Sequence, residues 1–386
     1  MNKLVYFIIL LLTAVFLRFF LTPLLEIENI LIQVSSLVLI ISIGAFFLLR
    51  SSAKIIEETT EILSERTKLA GGLLQSLGTA FPDMILGIVA AIVSLNLRSV
   101  DYLRAINYAI IAASTTFGSN IYNIAHATWC MYRQNKANKK DSSVLMFPGF
   151  VKGGAVTPFS KHIIKPQLAE FDTATQVLIA LTLLTSFVAI CMVLFGRVNI
   201  VQQNFTEDLY QLIQPIGVIV FLLSGYILFY FRKTHRKESA IQDIAKAEHF
   251  YRNKSTVLIL FHLLLSGAII LFTAESMIHA IEALSYLFHI PPVITGVFAG
   301  LIGCLGEILV IHNYTVNPKG RIGDALIGVG MDNIVTTLGA AIVAMMGGIF
   351  LGGSSLIVIF VLILGMNTFL IGQVSEMKNY FILEKE

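Results

Sequence analysis

The sequence has one tryptophan, three cysteines and nine prolines in 386 residues, and only 13% of its residues are charged. A soluble domain carries about a quarter charged residues, so a chain this poor in charge cannot cover an ordinary water-facing surface. Cys130, Cys191 and Cys304 all stand in apolar runs, which excludes a disulfide framework and leaves each as a small buried residue. There is no Gly-Lys-Ser/Thr run and hence no phosphate loop for ATP. No stretch has the composition of a soluble regulatory domain. What the chain does have is apolar mass: 56% hydrophobic residues, 27 phenylalanines and a mean hydropathy of +0.80. The expected fold class is an all-α polytopic membrane protein.

A spanning helix needs about 20 mostly apolar residues. By that rule ten segments are predicted, near 4–25, 29–51, 69–97, 103–131, 173–196, 208–231, 255–285, 292–314, 322–346 and 353–375. The first is longer than the apolar core of a signal peptide and no small-residue cleavage site follows it, so it is read as a spanning helix. The segment from Lys54 to Lys68 is amphipathic and extends the second helix. Two polar loops remain. Arg133 to Asp172, with Pro148, Gly149, Gly153, Gly154 and Pro158, reads as irregular. Arg232 to Lys254 reads as a solvated helix.

Of the 27 Lys and Arg residues, 23 fall on the N-terminal side of this ten-helix arrangement. Arg98, Arg104 and Arg197 fall on the other, and Arg18 lies within the first helix. Cytoplasmic loops carry the Lys/Arg excess, so both termini are expected in the cytoplasm, in the plasma (inner) membrane of a simple cell. Five helices per half is an odd number, so two related halves must be inverted. The expected division is a repeat over 1–200 and an inverted repeat over 201–386.

Each half carries an acid in the middle of an apolar segment. The first has Gly78-Thr79-Ala80-Phe81-Pro82-Asp83, then Gly118-Ser119-Asn120-Ile121-Tyr122-Asn123. The second has Ile302-Gly303-Cys304-Leu305-Gly306-Glu307, then Met331-Asp332-Asn333-Ile334-Val335-Thr336. A charge at bilayer depth costs at least about 2.5–3.5 kcal/mol, and such residues line ion or substrate paths. Inverted repeats place a substrate site at their interface near the midplane, where Asp83 and Glu307 would meet from opposite directions. Thr79 and Asp83, Ser119 and Asn123, and Asp332 and Thr336 are spaced i, i+4, so each pair shares a helix face. Ser76 lies one turn before Thr79. Pro82, and Gly303 with Gly306, would interrupt their helices and expose carbonyls. Hard cations such as Ca2+ take about 6–8 oxygen ligands, and these residues supply oxygen.

These motifs resemble those of the calcium/cation antiporter superfamily, the sodium/calcium exchangers and their relatives. That family carries two inverted repeats, each with a Gly-Thr-Ser-Leu-Pro-Glu-like and a Gly-Ser-Asn-Ile-Phe-Asn-like motif. The resemblance covers roughly 65–132 and 262–345. It implies ion-binding roles for Thr79, Asp83, Ser119, Asn123 and Glu307, with Asp83 and Glu307 holding the transported metal ion. The chain departs from the pattern at Ala80 and Cys304, which replace serines, and at Asp83, which is shorter than Glu. Ile302, Gly303 and Gly306 replace Gly, Thr and Pro, and Asp332 stands where a serine is usual.

Elsewhere, Glu275 and His279 lie one turn apart with Glu282 beyond, and read as an interface or gating brace, or as a proton relay. His126 and His312 read as packing or interfacial residues outside any His/Cys cluster with metal spacing. The expected function is secondary antiport of Ca2+ for Na+ or H+. Proton-coupled transport of Mg2+, Mn2+ or a monovalent cation stands as the alternative, followed by a membrane-embedded metal-dependent enzyme. The expected partners are inorganic cations and the lipid bilayer, with no nucleic acid, no obligatory protein partner and no cofactor beyond the transported ions.

Overall fold

The computed structural model describes residues 3–67, 80–147, 154–163, 166–198, 208–239, 250–251, 253–318, 320 and 322–383. Helix α1 (Lys3–Phe16) continues through wider and tighter turns to Glu26. Helix α2 (Ile30–Ser42) starts where the Asn29 side chain accepts from the Leu31 and Ile32 amides at 3.0 and 3.3 Å. It runs through Ile43–Leu49 into α3 (Arg50–Thr67). Then follow α4 (Phe81–Leu97), α5 (Tyr102–Lys140), α6 (Leu168–Phe195), α7 (Gln214–Ser239) and α8 (Thr256–Phe288). The last four are α9 (Pro292–Gly303), α10 (Leu305–Val316), α11 (Ile322–Met345) and α12 (Gly353–Leu383).

Among the described residues, seven helical stretches are long and apolar enough to cross a membrane. Helices α9 and α10, bent by 50° at Cys304, make an eighth if taken as one span. Leu12, Phe19, Phe20, Leu264 and Phe369 point outward. In water such a surface would aggregate; in a bilayer it is the solvent-facing surface.

The chain also forms structure that its hydropathy does not announce. The segment expected as helix over 208–231 opens instead as a strand, and α7 begins at Gln214. Strands β3 (Arg197–Val198), β4 (Leu209–Gln211) and β5 (Phe350–Gly352) form an antiparallel sheet, with Tyr210 opposite both Arg197 and Leu351. Backbone pairing at the ends of three helices outweighs one more helical turn. In the first polar loop, β1 (Val144–Leu145) pairs with β2 (Ala155–Val156). The second polar loop is helical as far as Ser239; residues 240–249 lie outside the described residues.

Helices α4, α5, α9, α10 and α11 pack on one another at the centre. In α11, 83% of the most apolar stretch is buried inside the bundle, against 28% in the first two spans. Close approach depends on residues without side chains. A Cβ at Gly300 would stand 2.5 Å from the Thr115 carbonyl oxygen and 2.7 Å from the Ser119 nitrogen. At Gly118 it would stand 2.9 Å from the Val297 Cα. Helices α5 and α9 thus touch backbone to backbone, as small residues permit in membranes.

Glu275, His279 and Glu282 do not act as one unit. Glu275 is ion-paired with Arg18 from α1. Glu282, nearly fully buried, holds Arg104 from α5 at 2.5 and 2.8 Å and accepts from the Tyr108 hydroxyl. The same hydroxyl meets His279 Nδ1 at 2.8 Å. The brace reading applies, with partners from α1 and α5 that lie far away in sequence.

Gly300→Ala should lower unfolding stability in detergent by about 1–3 kcal/mol through overpacking. Gly365→Ala, where a Cβ meets nothing within 4 Å, should be neutral or gain about 0.5–1 kcal/mol. Arg104→Met should cost about 1–3 kcal/mol because Glu282 keeps its burial and loses its ion. Adding Glu282→Leu should restore part of that loss in a double-mutant cycle.

Candidate ion-binding site

Asp83 and Glu307 occupy matching local positions. Each is the third residue of a helix that begins inside the bundle, α4 at Phe81 and α10 at Leu305. A helix N-terminus carries a partial positive charge and favours an anion there. Pro82 stands in the first turn of α4, where its missing N–H would be unpaired anyway. The second interruption is the bend at Cys304.

The two acids meet across Gly303. An added Cβ there would lie 3.0 Å from Asp83 Cγ and 3.2 Å from Asp83 Cα, and would overlap Oδ1. Glu307 lies one turn beyond Gly303, so the Asp83 carboxyl rests on the turn of chain that leads to Glu307. Asp332 of α11 is close enough to both to repel them electrostatically. All three side chains are buried.

Asn123 joins the halves. Its amide nitrogen donates to Glu307 Oε2 and lies 3.3 Å from the Asn333 amide oxygen. Because a carboxylate can only accept, Asn123 must present its NH2 group, which leaves its oxygen free. The buried atoms left without a hydrogen-bond partner include both Asp83 oxygens, Glu307 Oε1 and Asn123 Oδ1. Each is an oxygen with a lone pair to give. Among the described residues neither Asp83 nor Glu307 has a Lys or Arg partner. Buried carboxylates held near one another without a counter-ion repel strongly in a low dielectric, and a cation between them relieves that repulsion.

The hydroxyls behave differently from simple donors. Ser119 is the polar neighbour of Asp83, yet its hydroxyl donates to the Thr116 carbonyl at 2.9 Å. Asp83 therefore receives no well-formed hydrogen bond from it. Thr336 likewise donates to the Asp332 carbonyl at 3.0 Å. Hydroxyls bonded back to their own helix have spent their proton and keep their oxygen lone pairs. Thr79 and Ser76 lie outside the described residues.

The structure thus brings together Asp83, Ser119, Asn123, Glu307 and Asp332, with Thr336 one turn along α11 from Asp332. It adds Asn333, which the sequence reading passed over although it adjoins Asp332. It also corrects the reading that His126 and His312 lie outside any His/Cys cluster. With Cys130 they form a cluster whose ligand atoms all lie within 4.8 Å of one another. His126 and Cys130 share a face of α5, but His312 arrives from α10, so no local spacing reveals the group.

No family model matches the chain, and no curated protein matches it. Solved structures do. Native YfkE superposes on 98% of this chain and 97% of its own, with a TM-score of 0.52 at 12% sequence identity. The sodium-calcium exchanger NCX_Mj soaked with Na+ and Sr2+ covers 91% of this chain and 98% of its own, at 0.47 and 15%. The same exchanger soaked with Na+ and Ca2+ covers 89% and 96%, at 0.45 and 15%. At 12% identity the likeness to native YfkE is one of overall fold.

Proposed function

We propose that this chain is a secondary active cation antiporter that exchanges Ca2+ for Na+ or H+ at a site made by Asp83 and Glu307. The observation that carries the reading is the meeting of these two buried acids over Gly303, each in the first turn of a helix that starts inside the bundle. Asp332, Asn123, Ser119, Thr336 and, from the undescribed stretch, Thr79 and Ser76 complete the ligand set.

The matching placement of the acids supports two inverted five-helix repeats, 1–200 and 201–386, with ten spans in all. Helix α5 is long but carries a polar stripe, and α4, which starts at Phe81, is an apolar helix shorter than a full span. The Lys/Arg distribution supports cytoplasmic termini. Alternating access then follows from one repeat moving against the other around the site. The acids bind the divalent ion from either side. Na+ or H+ competes for the same oxygens and releases it, so one site couples the two fluxes. Lower pH weakens Ca2+ binding, because a protonated carboxyl no longer offers its charge.

A second reading, exchange of Mg2+, Mn2+ or a monovalent cation against protons, draws on Ala80 and Cys304. Both are fully buried beside the acids, and neither offers a hydroxyl. Cys304 Sγ lies 3.5 Å from the Leu301 carbonyl of its own helix.

The test is radiolabelled Ca2+ uptake by purified protein in proteoliposomes, with sodium and pH gradients imposed separately. Uptake should follow one gradient and fall at least tenfold, the size of one lost 1.4 kcal/mol interaction, in both Asp83→Asn and Glu307→Gln. Folded protein that moves no Ca2+ under either gradient would overturn the calcium assignment and turn the same assay to Mg2+, Mn2+ and monovalent cations.

A further inference from the structure

Ser119, Asn123, His126 and Cys130 follow one another along α5 at spacings of four, three and four residues, so they form a single stripe on one face of the helix. The first two belong to the acid site. The last two do not, and α10 places His312 opposite them. His312 Nδ1 and His126 Nε2 face each other at 3.3 Å. Cys130 Sγ completes a group whose ligand atoms all lie within 4.8 Å of one another. Cys130 and His312 are fully buried, while His126 is half-buried and leaves an approach to the group. The Thr315 hydroxyl neighbours Cys130.

We propose that His126, Cys130 and His312 form a second metal site, selective for a thiophilic divalent ion such as Zn2+ and separate from the acid site. The donor set decides the class: imidazole and thiolate suit Zn2+, whereas Ca2+ and Mg2+ need oxygen. The geometry agrees. Zn–N bonds are about 2.0–2.1 Å long, and two such bonds at a tetrahedral angle hold their nitrogens about 3.3–3.4 Å apart. The two imidazole nitrogens already have that separation. The sulfur lies within 4.8 Å of both nitrogens and closes in to bond the metal, and water takes the fourth position, as in sites with three protein ligands. Binding converts the thiol to a metal-bound thiolate and releases its proton to solvent. Each histidine binds as neutral imidazole, with its proton on the nitrogen that faces away from the metal.

The location gives the site a mechanical consequence. His126 is three residues past Asn123, and His312 is five past Glu307. At about 1.5 Å per helical residue, the metal lies roughly one to two turns from the acids. It ties α5 to α10, the two helices whose Asn123 and Glu307 side chains join at the acid site.

The experiment titrates purified full-length protein in detergent with Co2+, a spectroscopic stand-in for Zn2+, and needs no transport assay. A thiolate-to-cobalt charge-transfer band should appear at one Co2+ per chain and be displaced by Zn2+. It should vanish in Cys130→Ser. His126→Gln and His312→Gln should each weaken binding at least tenfold, the lower end of what even an indirect partner of a metal contributes. The half-buried position makes His126→Gln the variant that tests the site if Cys130→Ser does not fold. The band should persist in the double variant Asp83→Asn/Glu307→Gln, which separates this site from the transport reading. Absence of the band in folded wild-type protein would overturn the proposal. So would a band that survives Cys130→Ser and is lost in Cys304→Ala, since Cys304 lies beside the acids.

Discussion

The structure depends on keeping carboxylates inside a membrane bundle without giving them a permanent cation. Asp83 and Glu307 have no Lys or Arg partner among the described residues, and Asp332 adds a third acid. Several local features make this arrangement tolerable. Both acids sit in a first helical turn, where the helix dipole is favourable. Asn123 supplies one donor to Glu307. Gly303 has no Cβ, and the bend at Cys304 begins a new helix just before Glu307. Removing any of these features would leave the burial cost of the acids with less to offset it.

The same bundle treats its other charges in the opposite way. Glu282 and Glu275 are matched one to one by Arg104 and Arg18, and Tyr108 and His279 fill in around the first pair. These contacts fasten α5 and the turns that continue α1 to α8. The brace acids have cationic partners, and among the described residues Asp83 and Glu307, the acids of the proposed ion site, do not. That contrast separates the two groups of acids more clearly than burial does, since Glu282 is as buried as Glu307.

Helix α5 connects these regions. Its N-terminal end holds Arg104 and Tyr108, and its middle packs on α9 through Gly118, opposite Gly296 and Gly300. Ser119 and Asn123 face the acids, and His126 and Cys130 lie beyond them. One side of a single helix therefore meets the ion-pair brace, the acid site and the His/Cys group in turn. A shift of α10 against α5 would alter the last two together, because Glu307 and His312 both belong to α10.

The sequence by itself determined the membrane class, the positions of the apolar helices and which acids stand in apolar surroundings. These are properties of composition and local spacing: apolar runs have a required length, and a lone Asp or Glu within one is costly wherever it points. The expected tie between Asp83 and Glu307 rests on the likeness of the two motifs and on a predicted helix count that would make the halves opposite in direction. Tertiary structure alone decided the rest. Arg18 stands within the first apolar segment, and only the packing of α8 brings Glu275 to it. His126 and His312 looked like separate packing residues until α10 bent at Cys304 and set them together. The strand at 209–211 depended on partners at 197–198 and 350–352. In each case the deciding contact joins residues from different helices or distant strands. No local periodicity carries that information, because it exists only once the helices have packed.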